Sequence, residues 1–358
     1  MSVRTSLARL TKYSLNPISK SYFSSAVMSE NKDKITGWAD KDGHFKRQNS
    51  SFRDRISVDG PFPPEKGRYH LYVSLACPWA HRALIVRKLK GLEDFISVST
   101  VHPHMLEGGW HFVTPSNASK EPSPASAHSF DTFPAATDDK LFGVSYLREL
   151  YFKAQPDYSA RFTVPVVWDT KQNTIVNNES SEVIRDFNTA FNSLLPQGEK
   201  KALDLYPEEL RAEIDELNDW VYNDVNNGVY KSGFATTQEA YEKAVIPLFK
   251  ALDKLEKQLS DGREFLIGGR LTEADIRLYT TIIRFDPVYV GHFKCNLGTI
   301  RHNYPYINKW LKNLYWNNPA FKDTTNFEHI KEHYHYSHAQ INPTRIVPLG
   351  PQPNIEPL

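Results

Sequence analysis

The hydrophobic pattern changes period near Leu194, and that change divides the chain into two parts that cannot share one architecture. Before it, short β-type runs alternate with helical stretches. Tyr69, Leu71 and Val73 alternate with His70 and Tyr72, Trp79 to Lys90 reads as a helix stopped by Gly91, and Ile96 to Val101 is a second β-branched run. So long a connection between two strands implies a parallel pair. Val144 to Gln155 is helical, with Leu147, Leu150 and Tyr151 on one face. Phe162 to Trp168 and Thr174 to Val176 read as a hairpin, and Ser180 to Phe187 as a closing helix.

The order β-α-β-α-β-β-α is that of an α/β thioredoxin-like domain, expected over 68–190. After Leu194 the spacing is helical throughout: Glu208 to Val225, Gln238 to Leu259, Glu273 to Phe285 and Tyr306 to Trp316. In the last, Ile307, Trp310, Leu311, Leu314 and Tyr315 recur at i, i+3, i+4, i+7 and i+8. Thr272 to Asp275 has the form of a capping box. The expected fold is therefore an α/β N-terminal thioredoxin-like domain followed by an all-α C-terminal domain over 200–335. Around them lie an irregular extension over 29–67, a Pro- and Ser-rich stretch from Thr114 to Phe142, and a Pro-rich tail over 336–358.

A formal net charge of +1 gives no electrostatic argument for a nucleic-acid partner. No apolar run approaches the roughly 18 residues of a membrane-spanning helix. With two cysteines, Cys77 and Cys295, neither a disulfide framework nor a Cys-rich zinc site is available. Met1 to Ser29 holds no acidic residue, while Arg4, Arg9, Lys12 and Lys20 stand among many serines. That composition predicts a mitochondrial transit peptide over 1–28; the alternative is a second start at Met28 and a cytoplasmic protein.

Ala76-Cys77-Pro78-Trp79-Ala80 carries the chemistry. Cys77 falls between a strand and the first turn of a helix, with Pro78 suited to the first helical position. There the free N–H groups and the helix dipole favour thiolate over thiol. Ala80 stands where a Cys-x-x-Cys motif has its second cysteine, so the site works with a single thiol and needs an external thiol to complete a cycle. Cys295, in a loop between Lys294 and Asn296, has no such setting. Val164-Pro165 would offer backbone to an extended peptide, and Glu179-Ser180 opens a helix whose N-terminus can hold a carboxylate while the Glu holds an ammonium. His333, His335 and His338 read as an ordinary polar segment rather than as metal ligands, and no nucleotide-binding or metalloprotease motif is present.

Cys-Pro-Trp-Ala, Val-Pro, Glu-Ser and a following all-α domain together resemble the glutathione transferase superfamily on its cysteine-type, omega-like branch. The stretches Phe45-Lys46-Arg47-Gln48, Gly108-Gly109-Trp110, Gly228-Val229-Tyr230-Lys231-Ser232-Gly233-Phe234 and Ile341-Asn342-Pro343 are more similar to the xi class, the glutathionyl-hydroquinone reductases. The resemblance implies Cys77 as nucleophile and Tyr230 as acid/base, with Tyr289 and Tyr334 at the thiol. His333-Tyr334-His335-Tyr336 leaves Tyr334 and Tyr336 unseparated. It implies that Trp110, Arg161, Val164, Glu179 and Ser180 bind glutathione as co-substrate, that no cofactor is permanently bound, and that the chain forms a homodimer. The implied reaction reduces glutathionylated quinols to hydroquinones. The alternatives are an omega-like thioltransferase or dehydroascorbate reductase, and a non-catalytic binding module.

Overall fold

The computed structural model describes residues 42–45, 48–113 and 133–358. The transit-peptide reading over 1–28, the start of the extension and most of the Thr114 to Phe142 stretch lie outside them. The α/β part runs β1 (Tyr69–Val73), α1 (Pro78–Leu89), β2 (Ile96–Thr100), α2 (Leu147–Ala154), β3 (Val166–Asp169), β4 (Thr174–Asn177) and α3 (Ser180–Thr189). The sheet order is β2-β1-β3-β4, with β1 parallel to β2 and antiparallel to β3, and with β3 and β4 forming the expected hairpin. The alternation read in β1 does not separate core from solvent, because all five of its residues are buried. β1 is an inner strand covered on both faces. Its polar side chains are satisfied internally: the His70 ring lies between Ser97 Oγ (2.7 Å) and Ser99 Oγ (2.9 Å), and Tyr72 Oη donates to Asp139 (2.8 Å).

The helical part comprises α4 (Glu199–Ala202), α5 (Arg211–Trp220), α6 (Gly228–Gly233), α7 (Gln238–Leu259), α8 (Glu273–Ile282), α9 (Ile300–Asn303), α10 (Pro305–Asn317), α11 (Pro319–Lys322) and α12 (Phe327–Ser337). Helix α1 packs against both α3 and α8, so one helix belongs to both domains, and a continuous apolar cluster runs through them. The box at Thr272 caps α8 as expected. Its Asp275 also accepts from Leu266 N (2.9 Å) and Trp310 Nε1 (3.0 Å), tying α8 to α10.

The structure corrects four readings. Glu208 to Val225 is not one helix: α5 gives way to a π-helical turn, Val221–Asn226, in which the Asn227 amide reaches Tyr222 O. A second π turn, Phe285–Tyr289, follows α8. It contains Pro287, which has no N–H to give to the α-helical ladder. The segment with His333, His335 and His338 is not an ordinary polar stretch. It belongs to a buried helix, α12, capped by Asn326 accepting from His329 N (2.9 Å), with His338 at its C-cap. That helix carries the domain past 335. Finally, the described part of the extension is irregular but packed: Asp54 N donates to Val176 O (3.1 Å), Asn178 N to Phe52 O (3.1 Å), and Ile56 and Phe62 are buried. The tail is likewise fastened, with Trp316 Nε1 donating to Glu356 O (2.8 Å).

Candidate active site

After β1 the chain turns through Ser74 to Ala76 and places Cys77 as the N-cap of α1, with Pro78 at the first helical position. Ser74 holds the turn, accepting from Ala76 N on its Oγ and from Cys77 N on its carbonyl. Cys77 is half-buried, and its Sγ lies 3.6 Å from the carbonyl oxygen of Val164, whose bond to Pro165 is cis. Tyr151 braces that segment from behind: its Oη donates to Thr163 O (2.7 Å) and accepts from Asn178 Nδ2 (3.1 Å).

Cys77 lies in the wall of a cleft of about 1220 Å³, counting its solvent-filled mouth. The α/β wall includes Trp110, Arg161, Val164 and Asn178. The facing wall is helical: Tyr230, Phe234, His333, Tyr334 and His338. Phe45, Gln48, Asn49 and Ser50 of the N-terminal extension close one side. Of the residues singled out in the sequence, Cys77, Trp110, Arg161, Val164, Tyr230 and Tyr334 line the cleft. Glu179, Ser180 and Tyr289 stand just behind it. Glu179 caps α3, accepting from Ser181 N (3.1 Å) and from Ser50 Oγ (3.0 Å), and Ser180 Oγ accepts from Arg82 Nη1 (3.4 Å).

The helical wall is built around three phenols. Tyr334 Oη is 2.5 Å from Tyr230 Oη and 3.1 Å from Tyr289 Oη. Tyr336 stacks face to face on His104 at 3.7 Å, away from this trio, so the two candidate tyrosines of α12 are separated by geometry. Burial pushes the hydroxyls of Tyr230 and Tyr334 well above the ordinary phenol range and Tyr289 up to about 12. All three are therefore protonated at neutral pH, and Tyr230 opens on the cleft. Gly233 of α6 serves this packing: a Cβ there would meet the Phe293 ring at 2.1 Å, and that ring stacks on Tyr289 and packs edge-on to Tyr230.

Sequence reading missed Phe45, Ser50, His333 and His338. Phe45 stacks on Tyr230 and Phe234 at ring separations of 5.9 and 5.8 Å. The His333 ring stacks on Trp110 at 4.7 Å and donates from Nδ1 to Pro103 O (2.9 Å), joining the two walls; burial lowers it to about 3, so it is neutral. Phe45 was visible only as part of a resemblance, and the histidines carried no local signal.

Two family models match: "Glutathione S-transferase, N-terminal domain" over residues 76–190 and "Glutathione S-transferase, C-terminal domain" over 238–313. The chain is 60% identical to glutathione S-transferase omega-like 2 of Schizosaccharomyces pombe, over 90% of this chain and 98% of that one. It is 51% identical to the Escherichia coli glutathionyl-hydroquinone reductase YqjG, over 88% and 91% of the respective chains. The solved xi glutathione transferase ECM4 of Saccharomyces cerevisiae, in complex with glutathione, superposes with a TM-score of 0.82 at 50% identity, covering 87% of this chain and all of that one (100%).

Proposed function

Given that the chain belongs to the glutathione S-transferase family, we propose that it reduces glutathionyl-hydroquinones to hydroquinones at the expense of glutathione, through Cys77. The observation that carries this reading is the pairing of a single helix-capping thiol with three protonated phenols across one cleft. A thiol alone suits disulfide exchange; a proton donor held opposite it suits cleavage of a carbon–sulfur bond. In the first step the Cys77 thiolate attacks the glutathione sulfur of the thioether. A sulfur–sulfur bond forms, the carbon–sulfur bond breaks, and its electron pair stays on the ring carbon, which takes a proton from Tyr230. In the second step the thiolate of free glutathione attacks the Cys77 mixed disulfide and leaves as oxidised glutathione. Cys77 is released as thiolate, and the proton of the incoming thiol restores Tyr230. The sum is glutathionyl-hydroquinone plus glutathione giving hydroquinone plus oxidised glutathione.

Val164 would pair its backbone with the glutathione chain, with Trp110 and Arg161 beside it. Glu179 would exchange its contact with Ser50 Oγ for the ligand's ammonium. The test is incubation with glutathione and a glutathionylated naphthohydroquinone, following both products by chromatography. Equimolar free hydroquinone and oxidised glutathione support the proposal. Reduction of mixed disulfides with no hydroquinone release would replace it with a thioltransferase.

A further inference from the structure

Arg284 stands immediately before the second π turn and is wholly buried. Its Nε donates to Ala76 O (2.9 Å) and its Nη2 to Leu75 O (3.1 Å), the two carbonyls that precede Cys77 in the turn. Its Nη1 donates to Thr280 O (2.7 Å) and to His81 Nδ1 (3.1 Å). His81 can accept there because its proton is on Nε2, which donates to Thr324 Oγ1 (2.9 Å); that hydroxyl in turn donates to Ala320 O (2.6 Å). Burial and then the Arg284 charge hold His81 well below its ordinary range, so it stays neutral.

Every one of these partners is uncharged, and among the described residues no carboxylate pairs with Arg284. Asp286, two residues on, is taken up by Arg301 and by the N-terminus of α9. A buried guanidinium without an anion costs far more than its neutral hydrogen bonds return, and a neutral amide could bridge the same carbonyls. The charge itself has a use. We infer that Arg284 is a positioning residue for Cys77, fixing the cysteine turn and supplying the positive charge against which the thiolate forms. The inference rests on the reading of Cys77 as the nucleophile. Of the other groups around that thiol, Tyr230, Tyr289 and Tyr334 are protonated, His81 and His333 are neutral, Arg82 bonds Ser180 and Asn226 while lying over Trp79, and Arg161 is the cation that lines the same cleft from the α/β wall. The Arg284 field also reaches the three phenols, lowering each against the upward push of burial.

The test is the pH profile of Cys77 alkylation in the full-length protein, in wild type, Arg284→Met and Arg284→Lys. The wild-type midpoint is expected at least about one unit below the ~8.5 of a free cysteine. Arg284→Met should raise it by about one unit or more, a roughly tenfold loss of thiolate at lower pH that alkaline buffer restores. Arg284→Lys, which offers a cation but loses the two-pronged fork and can itself deprotonate when buried, should fall between wild type and Arg284→Met. A wild-type midpoint at ~8.5, or the same midpoint in Arg284→Met as in wild type, would overturn the inference. Should Arg284→Met fail to fold, the other two proteins decide: an Arg284→Lys midpoint back at ~8.5 would show that the fork and not the charge matters. No hydroquinone enters this measurement. A low, Arg284-dependent midpoint in a protein that releases no hydroquinone would therefore sink the proposed reaction and leave this inference standing.

Discussion

The two walls of the cleft are made of different materials. The α/β wall presents backbone and half-buried polar groups, fixed by short-range features: a turn ending at an N-cap, a Val-Pro step, a helix start. The helical wall presents side chains buried with one another. Its Tyr230 and Tyr334 meet across 104 residues of sequence, and Tyr289 and Tyr334 across 45. An extended peptide can be recognised by backbone, but a proton donor must be kept dry, and dryness takes a core. The thiol belongs to the first wall, and the proposed proton donor to the second.

The largest expected effect breaks the first wall. Cys77→Ser should lower hydroquinone release by about 10³-fold or more without moving the melting temperature, while Cys295→Ala should stay within about twofold of wild type. Burial pushes the Cys295 thiol up to about 12, so mass spectrometry after alkylation at pH 7 should find one adduct in native protein and two in denaturant. A Cys77→Ser enzyme that still releases hydroquinone would remove the mechanism.

Next comes the second wall. Tyr230→Phe should lower kcat by about 10²-fold, the usual worth of a positioned general acid, with the KM for glutathione nearly unchanged. Tyr334→Phe, one hydrogen bond further from the cleft, should cost about tenfold. Equal losses in the two variants would mean that Tyr230 acts by position rather than as the donor.

The smallest effect concerns what joins the walls. His102, His111, His329, His333 and His335 pack around α12 and its contacts, and burial lowers each, to about 2, 4, 4, 3 and 4 respectively. A histidine whose folded value lies below its unfolded ~6.5 leaves stability untouched above that pH. As the pH falls below it, the unfolded chain takes up protons that the folded one refuses, and stability is lost until the folded value is reached. Each histidine adds up to about 1.4 kcal/mol per pH unit to that slope. His329→Gln should flatten the fall in denaturant midpoint between pH 6.5 and 4.5 by about one histidine's share. An unchanged slope would mean that His329 is protonated in the folded protein.

The same contrast explains what the sequence made legible. Cys77, Val164 and Glu179 stand in local patterns whose geometry follows from a few neighbours, and the parallel pair and the hairpin followed from the β-type runs and the lengths of their connections. Tyr334 and Tyr336 could not be told apart by pattern, yet two residues along a helix turn the side chain by about 200°, so only one can join Tyr230. Helix α12 escaped notice because histidine and tyrosine count as polar in a periodicity; here they are buried, with His329 Nε2 bonded to Pro134 O and His333 Nδ1 to Pro103 O. Arg284 sat in an apolar helical stretch with nothing nearby in sequence to mark its partners at Leu75 and Ala76. The two π turns depend on tertiary packing that no local propensity encodes.

Phe45 and Ser50 set a bound on how far the chain can be trimmed. Phe45 lies on Tyr230, and Ser50 holds Glu179, so both walls lean on a strip of chain that precedes the first strand by some twenty residues. A cut ahead of Phe45 would leave both of these contacts in place. One after Ser50 strips the site of a side while sparing the entire sheet. The boundary of the site is therefore not the boundary of the regular structure, and a trimmed form beginning at 51 should keep its sheet while losing the Phe45 contact with Tyr230 and the Ser50 contact with Glu179.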